Sequence, residues 1–488
     1  MTTTQTPQDT PAALSVSDAL CAPKDRRFVL IAAILASALG FIDGTVTAIA
    51  LPAMRSTLGA GLAEAQWIHN AYMLMLSALI LVGGAIGDRF GLARVFGIGI
   101  ALFVAASLLC AVAPTALFLI VARGLQGIGA AIMVPGSLAI IARAYPRAER
   151  GRAIGIWAAA SSLTTALGPI IGGLALTFGG PEMWRWVFAV NLPLGGVAIW
   201  LLYSRTQRDV ARPGARLDMA GALTATLALL ALAWGLTASE DGPDWLWVGI
   251  GLAGLALFLR IEARQAVPMM PLTLFNAPVF AAANLLSFTL YSALALMFFF
   301  MPMTFIAGWG VSEIEASAAF APISVFMALI SSRAGKLADR IGPAPLILPG
   351  SLVVAAGYGV IGWLAPAQDF WQHMLPGFCI IGFGMALVVA PLSAAVMGAV
   401  EEHHSGIASG INNAITRLAA LLSVAALSGV VAALYQAAGG LASFGIESDT
   451  TGHVAAMNVA FRGVAWIASA LALLSALIAL RLPGGLRR

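Results

Sequence analysis

Fourteen long apolar segments fill almost the whole 488-residue chain. Each has roughly the 20 mostly apolar residues that an α-helix needs to cross the hydrocarbon core of a bilayer. Only 10% of the residues are charged, whereas soluble domains carry about 25%. We therefore predict an all-α polytopic membrane protein, and the composition excludes a soluble enzyme, a nucleic-acid-binding module and a disordered protein. The predicted spans lie near residues 28–51, 65–86, 95–113, 115–142, 151–175, 185–203, 217–238, 244–260, 279–305, 316–333, 345–365, 374–399, 405–434 and 461–481.

The distribution of basic residues predicts the orientation, because short cytoplasmic loops of membrane proteins are enriched in lysine and arginine. An even number of spans puts both termini on one side, and most of the 26 Lys+Arg residues fall on that side. We therefore predict both termini in the cytoplasm of a cell whose inner (cytoplasmic) membrane holds the protein. A disordered tail is predicted over residues 1–27, and a short second tail over residues 482–488.

One short motif occurs twice, after the second and after the tenth predicted span. Residues 84–91 and 335–342 both read G-x-x-[GA]-D-R-x-G. A tight turn between helices would explain either copy alone, but equivalent placement of two copies indicates a repeated unit, as in several transporter folds. We predict two six-helix bundles, over residues 28–205 and 266–481, with two inserted transmembrane helices between them over residues 206–265.

With these loops in place, the chain resembles the major facilitator superfamily, and within it the fourteen-span drug:proton antiporters. Further matching segments are residues 43–52 in span 1, 123–131 in span 4, 168–173 in span 5 and 184–195 at the start of span 6. The resemblance implies a transporter that moves a small organic substrate against protons by alternating access. It also raises the expectation that Asp43 and Arg123 take part in proton coupling.

Asp43 is the only carboxylate deep inside a predicted span. A charge at the centre of a membrane helix costs about 2.5–3.5 kcal/mol on insertion scales, so such a residue indicates function. Arg123 lies at a similar depth in span 4, and the two side chains can face each other or share a cavity. We predict that Asp43 and Arg123 couple transport to protons. The alternative is a structural ion pair, or an aspartate that caps a broken helix near Gly44.

Arg417 places another charge in the middle of a span, and it needs a polar partner there. The candidates are Asn412, Asn413 and, across a cavity, Asp43. A role in coupling or substrate binding and a purely structural role that locks the two bundles together both stay open.

A third group is predicted to serve conformational switching. Glycine and proline in span 5 permit a bend and close helix contact, although plain packing explains them too. The charged residues of the repeated loops are expected to form contacts between the bundles that close the cytoplasmic side. The group comprises Gly84, Asp88, Arg89, Gly91, Gly335, Asp339, Arg340, Gly342, Gly168, Pro169, Gly172 and Gly173.

Aromatic, polar and methionine side chains inside the spans are candidates for the substrate cavity. Aromatic faces attract organic cations, and methionine adapts to varied ligands. Ordinary packing or lipid contact is the alternative for each of them. The candidates are Trp67, Asn70, Tyr72, Met73, Trp157, Asn284, Tyr291, Met297, Phe298 and Met385.

The sequence contains no Walker A motif, no nucleophile elbow and no zinc-like spacing among its five histidines. We therefore predict neither an enzyme nor a cofactor or metal. The predicted function is proton-coupled export of small hydrophobic, mainly cationic drugs or biocides by a monomer in the lipid bilayer. Export of a neutral or anionic metabolite or lipid-like molecule, and proton-coupled import, remain alternatives. A periplasmic adaptor that docks on the inserted helices also stays open.

Overall fold

The structure is a computed structural model that describes residues 20–206, 218–237, 242–401, 404–448 and 452–482. Within them, fourteen helical spans are long and apolar enough to cross a membrane, which confirms the predicted all-α fold. Sixteen helices build these spans, because α6 with α7 and α11 with α12 each form one. The helices are α1 (Arg26–Leu58), α2 (Leu62–Phe90), α3 (Leu92–Ala111), α4 (Ala116–Ala144), α5 (Arg147–Gly179), α6 (Trp184–Ala189), α7 (Asn191–Arg205), α8 (Met219–Leu236), α9 (Trp245–Glu262), α10 (Pro278–Pro302), α11 (Glu313–Ser317), α12 (Ala321–Ile341), α13 (Ala344–Leu364), α14 (Leu375–Gly398), α15 (Ser405–Ala437) and α16 (His453–Ala479).

The first helix is longer than its apolar segment at both ends. It ends at Gly59, whose φ of 62° is a left-handed conformation that favours glycine. Before it, Leu20 and Cys21 are buried, and Asp25 accepts a hydrogen bond of 3.2 Å from Arg205. The predicted disordered tail over 1–27 stays a prediction, and within it Leu20 and Cys21 are buried and α1 already includes Arg26 and Arg27. Residues 1–19 and 483–488 lie outside the described part of the chain.

Helices α1 to α7 pack against one another, with α4 in contact with α1, α2 and α3. Small residues permit this, as in many membrane proteins. A Cβ added at Gly83 of α2 would lie 2.1 Å from the Ala131 carbonyl oxygen of α4, and one at Gly129 of α4 would lie 2.6 Å from the Phe103 nitrogen of α3. The backbones of α2, α3 and α4 thus approach too closely for any larger side chain at these two positions.

Helices α10 to α16 form a second group, in which α10 contacts α15 and α16, and α13 contacts α14 and α16. Helices α8 and α9 pack on each other, and α8 also lies against α2 and α15, beside the junction of the two groups. We call α1–α7 the first half and α10–α16 the second half. The predicted boundaries 28–205, 206–265 and 266–481 stay a prediction.

Polar contacts tie the inserted helices to the loop that leads to the second half. Asp218 caps α8 through a 2.8 Å bond from the Gly221 N–H and accepts a 2.7 Å bond from Gln265. Burial favours a higher pKa for Asp218, but hydrogen bonds from Gly221, Glu262 and Gln265 hold this pKa below its usual value. Glu262 at the end of α9 accepts a 2.9 Å bond from the Met270 N–H. The loop that leads to α10 is thus fastened to the α8–α9 pair.

We call the membrane side at which α1 begins the N-side and the opposite one the far side. At the far side, hydrogen bonds join the two halves. Arg55 of α1 donates to the Phe444 carbonyl at 2.6 Å. Thr177 of α5 donates to Glu313 at 2.9 Å, and Ser317 donates to the Pro169 carbonyl at 2.7 Å. These bonds hold the halves together on the far side.

Candidate substrate cavity and buried charge network

Asp43 of α1 lies in a fully buried network with Arg123 and Gln126 of α4. Arg123 Nη1 donates to Asp43 Oδ2 at 2.5 Å and to Gln126 Oε1 at 2.6 Å. Gln126 Nε2 donates to Asp43 Oδ1 at 2.8 Å and to Ser107 at 2.9 Å. Both carboxylate oxygens therefore have a partner, as a buried ion pair requires.

The local structure brings these side chains together. Arg123 and Gln126 are three residues apart on α4 and therefore share one helix face. Arg123 Nε also donates to the Ile68 carbonyl at 3.1 Å, and its guanidinium lies 4.4 Å from the centre of the Tyr72 ring. The structure thus places Asp43 beside Arg123. Sequence reasoning missed Gln126, although its position one turn after Arg123 was a usable signal.

A cavity of about 430 Å³ lies between the two halves, and we call it the central cavity. Three of the predicted cavity residues line it: Met73, Tyr291 and Phe298. The wall contains five phenylalanine or tyrosine rings, and it also contains hydroxyl groups, one amide, one imidazole and one guanidinium. The lining polar and aromatic residues are Phe41, Thr45, His69, Thr165, Tyr291, Phe298, Phe299, Phe320, Ser324, Asn413, Thr416 and Arg417.

A second cavity of about 560 Å³, the N-side cavity, shares Phe41, Asn413 and Arg417 with the first. It extends to Gly87 and Gly406, near the N-side ends of α2 and α15. Two further predicted cavity residues line it, Tyr72 and Trp157. The two cavities therefore meet at Arg417 and together run from the middle of the protein toward the N-side.

Arg417 forms no hydrogen bond or ion pair within the described part of the chain, and its Nε is buried without a partner. The predicted partners are corrected here. Asn412 instead donates to Asn284 Oδ1 at 3.0 Å and to Ser287 at 2.7 Å. The carboxylate of Asp43 is held by Arg123 and Gln126, and Asn413 lines the cavities beside Arg417 without bonding to it.

Sequence reasoning also missed His69, which lines the central cavity. Its Nε2 is buried without a hydrogen-bond partner in the described residues, and its ring packs edge-on against Phe299 at 5.5 Å. A histidine inside a predicted span was the available signal. Zinc-like spacing requires several metal ligands, so its absence says nothing about a single histidine that lines a cavity.

Five of the predicted cavity residues lie elsewhere. Trp67 packs against Trp234 of α8, with ring centres 5.6 Å apart, in a groove between α2, α4 and α8. The other four are buried inside the halves and line neither cavity: Asn70, Asn284, Met297 and Met385.

The span 5 glycines lie where α5 meets its neighbours. A Cβ at Gly172 would come within 2.3 Å of Val46 Cγ1 on α1, and one at Gly173 within 2.3 Å of Ser317 Oγ. Gly168 faces Thr45 of α1 in the same way. Close contact of α5 with both α1 and α11 therefore depends on these small residues.

The repeated loops turn the chain at the N-side. Gly91 and Gly342 have φ values of 100° and 87°, which favour glycine and explain why both copies end in it. Arg89 and Arg340 are exposed, and Asp339 lines a surface cavity at the N-side ends of α10, α12 and α14. Gly84 lines the N-side cavity, and Gly335 lies near Ala390 of α14. The side chain of Asp88 lies outside the described residues.

The sequence model of the Major Facilitator Superfamily matches residues 33–424. The chain belongs to this superfamily. It is therefore a multi-pass membrane transporter and not an enzyme.

Relatives and solved structures agree with this assignment. The chain is 31% identical to multidrug resistance protein Stp of Mycobacterium tuberculosis over 418 aligned residues. The alignment covers 82% of this chain and 75% of Stp. The chain is also 32% identical to puromycin resistance protein pur8 of Streptomyces alboniger, and this alignment covers 86% of this chain and 85% of pur8. A solved D-xylose–proton symporter has the same fold, with a TM-score of 0.65, 17% identity and coverage of 94% and 98%.

Proposed function

We propose that the protein exports small organic molecules, including antimicrobial compounds, in exchange for protons. The names of several relatives support export as the direction. They include multidrug resistance protein Stp, and the tetracenomycin C resistance and export protein of Streptomyces glaucescens, which is 30% identical over 403 residues. Proton-coupled import on the same fold is the rival, and the close α5 contacts at the glycine motif favour export only through the family resemblance.

One observation carries the proton-coupling proposal: Asp43 is the membrane-embedded carboxylate of a network whose every other member is neutral or cationic. Protonation of Asp43 removes the negative charge that holds Arg123 Nη1 and Gln126 Nε2. A neutral carboxyl group is a weaker acceptor for both donors, and each donor keeps a second partner on its own side, so α1 and α4 no longer favour the same arrangement. A single proton thereby biases a packed contact between two helices of the first half.

We propose that residues 28–205 and 266–481 move relative to each other in this cycle, with residues 206–265 as an insertion. In the structure the cavities reach the N-side, and the far side is held by Arg55, Thr177 and Ser317. Because lysine and arginine are concentrated at the N-side, we assign this side to the cytoplasm. Substrate would then enter from the cytoplasm or inner leaflet, and the far-side bonds would break for release.

A cationic substrate could compete directly with a proton for Asp43 only if this carboxylate faced the cavity. In the structure this carboxylate is fully buried and lines neither cavity. Direct competition therefore lacks support, and coupling is instead indirect, through Arg123 and Gln126. The buried position of Asp43 therefore favours the neutral and anionic substrates that were the alternatives.

Proteoliposomes that contain a pH-sensitive dye and an imposed proton gradient test the proposal, with a panel of organic cations, neutral drugs and acids. We expect substrate-dependent proton movement in the wild type and its loss in Asp43→Asn. Glu182→Gln is the matched control, because Glu182 is an exposed far-side carboxylate paired only with Arg185. Substrate movement without proton movement in the wild type would indicate a facilitator and contradict the proposal.

A further inference from the structure

The lining of the two joined cavities is electrostatically one-sided. Neither lining contains an aspartate or a glutamate. Arg417 belongs to both linings, and His69 adds an imidazole to the central one. Asp43 is paired with Arg123, is fully buried and lines neither cavity. A molecule in the cavity therefore meets a guanidinium without its counter-ion.

An arginine in this position has an unmet requirement. A guanidinium in a membrane interior normally pairs with an acid, a carbonyl group or water, because a lone charge there is costly. Arg123 meets this requirement with Asp43, Gln126 and the Ile68 carbonyl. Arg417 has neither an acid nor a carbonyl group as a partner among the described residues, and its Nε is buried. A bound anion would supply what the chain itself does not.

The surroundings of Arg417 suit an aromatic anion. Phe298 stacks on Phe320 with ring centres 4.3 Å apart, and Phe41 and Phe299 complete an apolar wall. On the same lining, the amide of Asn413 and the hydroxyl group of Tyr291 can donate hydrogen bonds. Aromatic walls stack planar rings of either charge, so the guanidinium decides which charge is favoured.

We infer that Arg417 is the anchor for an acidic group on an aromatic substrate, which its planar guanidinium binds with two parallel hydrogen bonds. His69 lies on the same cavity wall with a buried, unpartnered Nε2 and offers a second polar contact. The preferred substrate class is thus an aromatic carboxylate, sulfonate or phenolate, and lipophilic cations are disfavoured. This inference rests on the proposed transport function for the role of the site, but its binding test is independent of proton coupling.

Two dyes with the same three-ring xanthene core and opposite charge serve as probes: anionic fluorescein and cationic rhodamine 123. Their binding to the full-length protein in lipid nanodiscs is followed by fluorescence anisotropy. We expect the wild type to bind fluorescein more tightly. We expect Arg417→Gln to weaken fluorescein binding by about tenfold or more, as for loss of a charge-assisted bidentate contact, and to leave or improve binding of rhodamine 123.

Two further variants make the result specific. Arg417→Lys keeps the charge and loses the planar fork, so fluorescein binding should fall by less than in Arg417→Gln. Arg333→Gln is the matched control, because Arg333 is an exposed arginine of α12 that donates only to the Leu329 carbonyl of its own helix. It should bind both dyes as the wild type does.

The outcomes separate this inference from the proposed function. Tighter wild-type binding of rhodamine 123, no saturable binding of fluorescein, or equal losses for both dyes in Arg417→Gln would overturn the anion site. The same dyes are then tested in proteoliposomes for proton movement. Arg417-dependent binding of fluorescein without proton movement for either dye would keep the anion site and contradict proton coupling. Proton movement driven by rhodamine 123, with binding insensitive to Arg417, would do the reverse.

Discussion

Each half of the molecule contains one arginine in the middle of the membrane, and the two residues have opposite surroundings. Arg123 in the first half is fully buried with a carboxylate, an amide and a carbonyl group as partners. Arg417 in the second half has no described partner and faces the cavities. The same helical architecture therefore encloses its charge in one half and presents it to a ligand in the other.

The buried hydrogen bonds of the two halves also differ in charge. Around α4 the network includes a charged pair, whereas the second half uses neutral hydrogen bonds, such as those of Asn412 with Asn284 and Ser287. Thr289 of α10 and Ser475 of α16 form another, at 2.7 Å. A neutral interior keeps its structure through a change of protonation, and a charged pair does not. We therefore expect the proton-sensitive pair to lie in the first half and the charged substrate anchor to lie in the second, although both halves line the central cavity.

The sharpest test of this contrast is the stability of two matched variants. Arg123→Gln leaves Asp43 buried without its counter-charge, which costs about 3–5 kcal/mol for a broken buried pair. Arg417→Gln removes a charge that had no partner, so we expect little loss of stability or a small gain. Unfolding of both purified variants in the same detergent measures the difference. Similar losses in the two variants would contradict the contrast.

A second prediction gives Arg417 the partner that it lacks. Asn413 precedes Arg417 by one helical turn on α15, so Asn413→Asp places a carboxylate within reach of the guanidinium. We expect fluorescein binding to fall by about tenfold and rhodamine 123 binding to improve, since a new ion pair neutralises the anchor. Asn413→Ser, which removes the amide without adding charge, is the control. An equal effect of both variants would indicate that the amide matters and the charge does not.

A third prediction concerns the amide that completes the first network. Gln126→Leu removes the donor to Asp43 Oδ1 and leaves one buried carboxylate oxygen without a partner. Leaving such a group unsatisfied costs about 1–3 kcal/mol, so we expect a lower unfolding temperature and slower proton exchange that is not abolished. Asp43→Asn in the same assay marks the level of complete loss. Unchanged exchange in Gln126→Leu would exclude the amide from coupling.

The smallest expected effect is at the far side, where the halves meet. Ser317→Ala removes the 2.7 Å bond to the Pro169 carbonyl, which is worth about 1 kcal/mol. We expect the fraction of molecules whose halves are separated at the far side to rise by about fivefold. Distances between spin labels on the far-side ends of α1 and α16 measure this fraction. Ser423→Ala is the control, since Ser423 bonds only to the Ala420 carbonyl of its own helix. An equal shift in both variants would contradict a specific role for the Ser317 bond.

The sequence was sufficient for the spans, because the length of an apolar segment is itself the physical requirement for crossing a bilayer. It was also sufficient to bring Asp43 and Arg123 to one depth. It could not show which way a side chain points around its helix axis, so Met297 and Met385 were grouped with residues that line the cavity. The isolation of Arg417 was equally hidden, since it depends on Asn412 turning toward α10.

The unpaired guanidinium has a consequence for the energy source of transport. An exporter that releases a monovalent anion for each proton it admits moves two positive charges inward per cycle. At a membrane potential of 100 mV, negative inside, the field contributes about 2.3 kcal/mol for each of these charges. Exchange of a monovalent cation for one proton would gain nothing from the field. On the proposed exchange of one anion held by Arg417 for one proton, the membrane potential alone would drive export after the pH gradient has collapsed.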